Sequence, residues 1–154
     1  MRAAAYRTNI VMRKRSGCPP QGFLREVARG TLGAEGVKGG VEINLLLAGE
    51  AEITRLNRRY LGRDTPTDVI AFGAKKGMGG ARAARGYLGD IAISVDAARY
   101  NARRFKTTPK EEIALYVIHG ILHLLGYDDT NERAKKLMEK RQFAIMRDVV
   151  CRAG

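Results

Sequence analysis

Both histidines of the chain fall four residues apart in HGILHLLGYDDT, residues 119–130. On a helix of about 3.6 residues per turn, His119 and His123 share one face at the separation from which two imidazoles can hold a single metal ion. Gly126 then stops the helix and turns the chain, so a side chain soon after it can fold back to the same point. The pattern His-x-x-x-His-x-x-Gly-x-x-Asp places Asp129 there, giving two nitrogen ligands, one carboxylate and a fourth position open to water. Each residue also has a plainer role. Two imidazoles on an apolar helix can be core side chains satisfied by nearby carbonyls. Asp129 and Glu132 form an Asp-x-x-Glu capping box for the next helix, a cap that Asp128 or Thr130 could supply instead. Asp128 could equally orient a histidine from behind.

The spacing also resembles that of zinc peptidases built on His-Glu-x-x-His. Their general base is the glutamate, and that position is Gly120 here, so ordinary proteolysis is a poor reading.

The elements that must position these residues follow from hydrophobic periodicity. A basic first strand is expected around Thr8 to Met12. PPQGFLREVARGTLG reads as a short helix with Phe23, Leu24 and Val27 on one face. VEINLLLA is a strand with Val41, Ile43, Leu45 and Leu47 on one side. GEAEITRLNRRYLGRD reads as a helix whose Ile53, Leu56 and Tyr60 face inward and whose Arg55, Arg58, Arg59 and Arg63 face solvent or a ligand. PTDVIAF is a turn and a strand, and YLGDIAISV is another strand, with Ile91, Ile93 and Val95 alternating against Ala92 and Ser94. Between them GAKKGMGGARAARG reads as a mobile cationic loop, either a clamp on a phosphate backbone or a plain hairpin connection. From DAARYNARRF onward the chain is helical. The histidine helix begins at TPKE, where Thr108 caps, Pro109 occupies the first turn and Glu111 closes a capping box. A last amphipathic helix carries Ala134, Leu137, Met138, Ile145 and Val149 as its core stripe. Strands early and helices late make an α+β fold, a small sheet packed against several helices, in a single domain over residues 1–154.

At 154 residues the chain can bury a core without disulfides or a structural metal. Its longest apolar stretch, Ile118 to Leu125, is far too short to span a bilayer, so no membrane segment is expected. Cys18 and Cys151 lie near opposite ends without Cys-x-x-Cys spacing, which fits a reducing compartment. The arginine-rich start could describe an organellar transit peptide, but a basic first strand is the simpler account. The formal net charge of +12 and pI near 10.2 favour a polyanionic partner. Composition alone leaves RNA, DNA and an anionic membrane surface open, although no long amphipathic basic helix supports the last.

Three motifs in order, LNRRYLGRDTPTDVIAF at 56–72, LGDIAIS at 88–94 and HGILHLLGYDD at 119–129, resemble the YbeY family of bacterial rRNA maturation factors, also described as single-strand-specific endoribonucleases. The likeness runs from Val41 onward. It implies a small mixed sheet, a zincin-like metal site on a central helix, and one zinc ion per chain held by His119, His123 and Asp129. The histidines would then serve catalysis through the metal, with Arg58, Arg59 and Arg63 contacting RNA phosphates. It further implies a cytoplasmic protein, monomeric by preference, acting in rRNA maturation and ribosome quality control on RNA in the ribosome or its precursors. A second reading is an rRNA- or ribosome-binding assembly factor whose metal is structural and whose nuclease activity is weak or absent. Two positions depart from the family. The third metal-binding histidine is Asp129, and the arginine that often follows the tyrosine of the LNxxY motif is Leu61. Tyr60, Asp68 and Asp90 also match family positions, with simpler roles as core tyrosine, turn aspartate and strand-end aspartate.

Overall fold

The computed structural model describes residues 6–73 and 86–153. The glycine-rich basic segment read as a cationic loop lies almost wholly outside them. Among the described residues nine elements follow in order: β1 (Tyr6–Met12), α1 (Gln21–Ala34), β2 (Val41–Ala48), α2 (Glu50–Leu61), β3 (Val69–Gly73), β4 (Tyr87–Ser94), α3 (Val95–Phe105), α4 (Pro109–Leu124) and α5 (Glu132–Ala153).

The four strands form one mixed sheet in the order β1-β2-β4-β3. β1, β2 and β4 run parallel, and β3 pairs antiparallel with β4. Alternation decides the two faces. Ile43, Leu45, Leu47, Ile91 and Ile93 point to one side and join α1, α4 and α5 in the larger core. Ile70, Phe72 and Ala92 point to the other, where Ile53 of α2 covers them. Both faces of β4 are therefore buried, as its near-continuous apolar run requires.

Helix α4 is the central helix. Buried residues occur all round it, from Glu112 to Leu122, the pattern of a helix enclosed by neighbours rather than laid on a surface. Its start is the expected capping box: Glu111 N donates to Thr108 Oγ1 at 3.1 Å and Thr108 N to Glu111 Oε1 at 3.2 Å. Gly120 lies directly against β4. A Cβ there would come within 2.7 Å of Ile91 Cγ2, so this position has no room for any side chain, a glutamate included.

Three expectations are corrected. Tyr60 is not a core tyrosine: it is 38% exposed and packs edge-on against Phe72, with ring centroids 5.3 Å apart. The buried residue on that part of α2 is Asn57, whose Nδ2 donates to Thr65 O at 2.8 Å and so ties down the loop before β3. Leu137 is 61% exposed, and Gln142 is buried in the α5 stripe with Met138, Ile145 and Val149. Finally, the start of α5 is capped by Asn131, whose Oδ1 accepts from Ala134 N at 2.8 Å. Asp128 accepts from Thr130 N and Oγ1 at 3.2 and 2.9 Å, which leaves Asp129 free of capping.

Candidate metal centre

The end of α4 brings the two histidines and Asp129 together by a specific helix stop. Tyr127 N donates to Leu122 O and Gly126 N to His123 O, both at 3.0 Å, the paired bonds of a Schellman turn. Gly126 has φ +108°, a conformation that disfavours any residue with a Cβ. The chain therefore reverses within two residues, and Asp129 returns toward the helix face it has just left.

On that face His123 Nε2 lies 3.1 Å from His119 Nε2 and 3.9 Å from Asp129 Oδ2. All three ligand atoms fall within 4.8 Å of one another. The opposite ring nitrogens are both held. His119 Nδ1 donates to Gln142 Oε1 at 2.7 Å, and His123 Nδ1 donates to the Tyr127 carbonyl at 3.1 Å. Because these oxygens can only accept, each Nδ1 carries a proton, and in the neutral form each Nε2 then presents a lone pair. Two lone pairs facing each other at 3.1 Å repel, and a cation between them removes the repulsion. Two ligands at tetrahedral angles on a zinc-sized ion would be about 3.3 Å apart, so the spacing fits one. Burial, reinforced by His119 alongside, pushes the His123 imidazolium below the ordinary histidine range, which favours the neutral, ligating form.

The turn is braced from behind. Tyr127 Oη donates to Glu35 Oε1 at 2.7 Å, Arg141 Nε pairs with the other Glu35 oxygen, and Arg141 Nη2 donates to Ala34 O at 2.7 Å. The end of α1 and the middle of α5 thus fix the segment that carries Asp129. Gln142 and Glu35 both escaped the sequence reading. Gln142 left a signal in the sequence, a polar residue occupying a core position of an otherwise apolar stripe.

A cleft of about 430 Å³ opens over the three residues, walled by β3 and by Leu61, Arg63, Thr67 and Asp68. The three arginines expected to meet phosphate are placed differently. Arg63 lines this cleft. Arg58 is held by Asp64, with Nε 2.9 Å from Oδ1, and Arg59 lies over the Tyr60 ring, 5.4 Å from its centroid.

The family model described as "Endoribonuclease YbeY" matches residues 20–150. The chain belongs to the YbeY family. It is 42% identical to the endoribonuclease YbeY of Moorella thermoacetica over 135 residues, spanning 82% of this chain and 84% of the relative. It is 37% identical to that of Pelotomaculum thermopropionicum over 128 residues, covering 81% and 83% of the two chains. Among solved structures, TM1509 from Thermotoga maritima superposes with a TM-score of 0.62 at 28% identity, over 92% of this chain and 88% of that one. The expected α+β architecture with a small mixed sheet therefore holds for this YbeY-family chain, as does a His-His-Asp group that could hold a metal. Among the described residues no helix is long and apolar enough to cross a membrane.

Proposed function

We propose that this chain is a metal-dependent endoribonuclease that cleaves single-stranded RNA during rRNA maturation and ribosome quality control, with one zinc ion held by His119, His123 and Asp129. The observation that carries the reading is the pair of imidazole Nε2 atoms converging beside Asp129, next to an arginine in one cleft. It is supported by the names of the relatives and by a net charge of +12, which suits a polyanionic substrate.

A bound divalent metal supplies Lewis acidity toward a phosphoryl oxygen or a water. The chain supplies the rest. Gln142 and the Tyr127 carbonyl hold both rings in the ligating tautomer. Arg63 is the arginine that neutralises charge on the phosphate. Leu61 shares its cleft, so Arg63 approaches the site from beside the position where the family often carries an arginine. Arg58 and Arg59 contribute to RNA affinity further along the strand. The protein acts in the cytoplasm, where RNA is available and the free thiols of Cys18 and Cys151 are compatible with a reducing medium, and it works as a monomer.

The test is cleavage of a fluorescent single-stranded RNA by a nuclease-free preparation. Activity lost on chelation, restored by zinc and absent from His123→Ala supports the enzyme. RNA binding without cleavage at full metal loading would instead establish the assembly factor with a structural metal. Cleavage unchanged in His123→Ala would expose a contaminant.

A further inference from the structure

A second cleft, of about 570 Å³, is lined by the start of α2, the loop before β3 and helix α3. Thr67 and Asp68 line both, so the two clefts meet along one wall. On the far side stand Ala97, Tyr100 and Asn101, one stripe of α3 by helical spacing. Tyr100 is 60% exposed, an aromatic ring left at the mouth of a cleft rather than packed into the core.

The lining decides what part of a nucleic acid could enter. Glu50, Asp68 and Asp96 line the cleft; Asp96 is paired with Lys14, and the other two carboxylates repel a phosphate. Asn101 Nδ2 donates one of its two amide hydrogens to Tyr116 Oη at 2.7 Å, which leaves it one donor and the Oδ1 acceptor. Ser94 Oγ accepts from Ala97 N at 3.1 Å and keeps its hydroxyl hydrogen to donate. The groups that can only accept are the carboxylates, Asp68 and Glu50 among them, beside the ring of Tyr100. The cationic side chains Arg103 and Arg104 follow Tyr100 three and four positions along α3, next to the cleft rather than in its lining, where a backbone would run.

We propose that this second cleft is a nucleobase subsite: Tyr100 stacks one base of the bound RNA, and the acceptor-only carboxylate of Asp68 favours a base bearing an amino group. The strand crosses the Thr67–Asp68 wall, so this base neighbours the phosphate that lies at the histidines. The inference rests on the RNA reading above and names a recognition element of that site. Stacking on an aromatic tolerates every base, whereas the Asp68 carboxylate discriminates cytosine from uracil, two rings of equal size that differ in the exocyclic amino group.

Binding is the readout, because it does not depend on cleavage. Fluorescein-labelled hexamers of cytidine and of uridine are titrated by anisotropy into chelator-treated wild type, Tyr100→Ala and Tyr100→Phe at fixed salt, so that the probes stay intact. The expected result is several-fold tighter binding of the cytidine hexamer by the wild type. Tyr100→Ala should weaken binding by about tenfold, and Tyr100→Phe should stay within about twofold of wild type. Tyr100 is exposed, so an unchanged melting temperature verifies that the variants fold. Equal affinity for the two hexamers, or a Tyr100→Ala variant that binds like wild type, overturns the subsite even if RNA is cleaved. Conversely, the expected pattern in a protein that never cleaves RNA upholds the subsite and refutes the nuclease.

Discussion

Gln142 Oε1 accepts a hydrogen bond from His119 Nδ1 at 2.7 Å, so the long C-terminal helix reaches across to set the tautomer of a histidine on α4. Gln142→Leu keeps the volume and the apolar surroundings but leaves that nitrogen without its acceptor. We expect metal affinity to fall about 10- to 100-fold with the fold retained, measured by competition against a chromophoric chelator. Unchanged affinity would mean that the glutamine only fills space.

Gly120 separates packing from chemistry. Alanine there gains about 1 kcal/mol in helix propensity but drives a methyl to 2.7 Å from Ile91 Cγ2, a contact with a fully buried side chain that costs about 1–3 kcal/mol. The clash prevails because Ile91 has no solvent to move into. Gly120→Ala should therefore lower the denaturation midpoint, and Ile91→Ala in the same chain should recover part of the loss. A stabilised Gly120→Ala variant would show that α4 and β4 are not in close contact.

The arginines should separate by position. Arg63→Ala is expected to lower kcat/KM on single-stranded RNA about tenfold or more. Arg58→Ala should lower it by a smaller factor, about two- to threefold, because Asp64 already engages that guanidinium and weakens its share of RNA affinity. Affinity for RNA should drop steeply with added salt as counterions are released. Equal losses from the two variants would remove Arg63 from its assigned role.

Asp96 gives the pH dependence. Its carboxylate accepts from Lys14 Nζ at 2.5 Å and from Glu50 N at 2.7 Å, which holds it below the usual carboxylate range, the lysine contact being the larger cause. A group depressed in the folded state stabilises above its unfolded pKa, and the gain disappears as pH falls through the folded value. Asp96→Asn should therefore cost about 0.5–1 kcal/mol at pH 7, a small figure because the pair is partly solvent-exposed. The gap from wild type should narrow below about pH 4. Denaturant midpoints across pH 7 to 3 check this, and a gap constant over that range would mean that charge is not involved.

Much of the frame can be read before folding because its signals are local. The alternation in VEINLLLA identifies the buried face of β2, and Thr108, Pro109 and Glu111 mark the start of α4 residue by residue. The errors arise where tertiary context overrules periodicity. Tyr60 lies where α2 meets the small second core, too few residues deep to enclose a tyrosine. Leu137 sits beside Met138 at the border of the α5 stripe, and the side on which α1 and α4 pack leaves it in water. The cap of α5 was ambiguous because Asp128, Asp129, Thr130 and Asn131 are all capping residues. Asn131 takes the role in space, and Asp129 is thereby left to the histidines. Gln142 and Glu35 act from 23 residues beyond His119 and 92 residues before Tyr127, separations at which no sequence period connects them to the site.

The central claim is that His119, His123 and Asp129 together hold one metal ion, and elemental mass spectrometry of untagged protein purified without chelator tests it most directly. The account predicts about one zinc per wild-type chain and a marked loss in Asp129→Ala. Wild-type protein that holds no metal even after incubation with zinc, or an Asp129→Ala variant that retains a full equivalent, would contradict it.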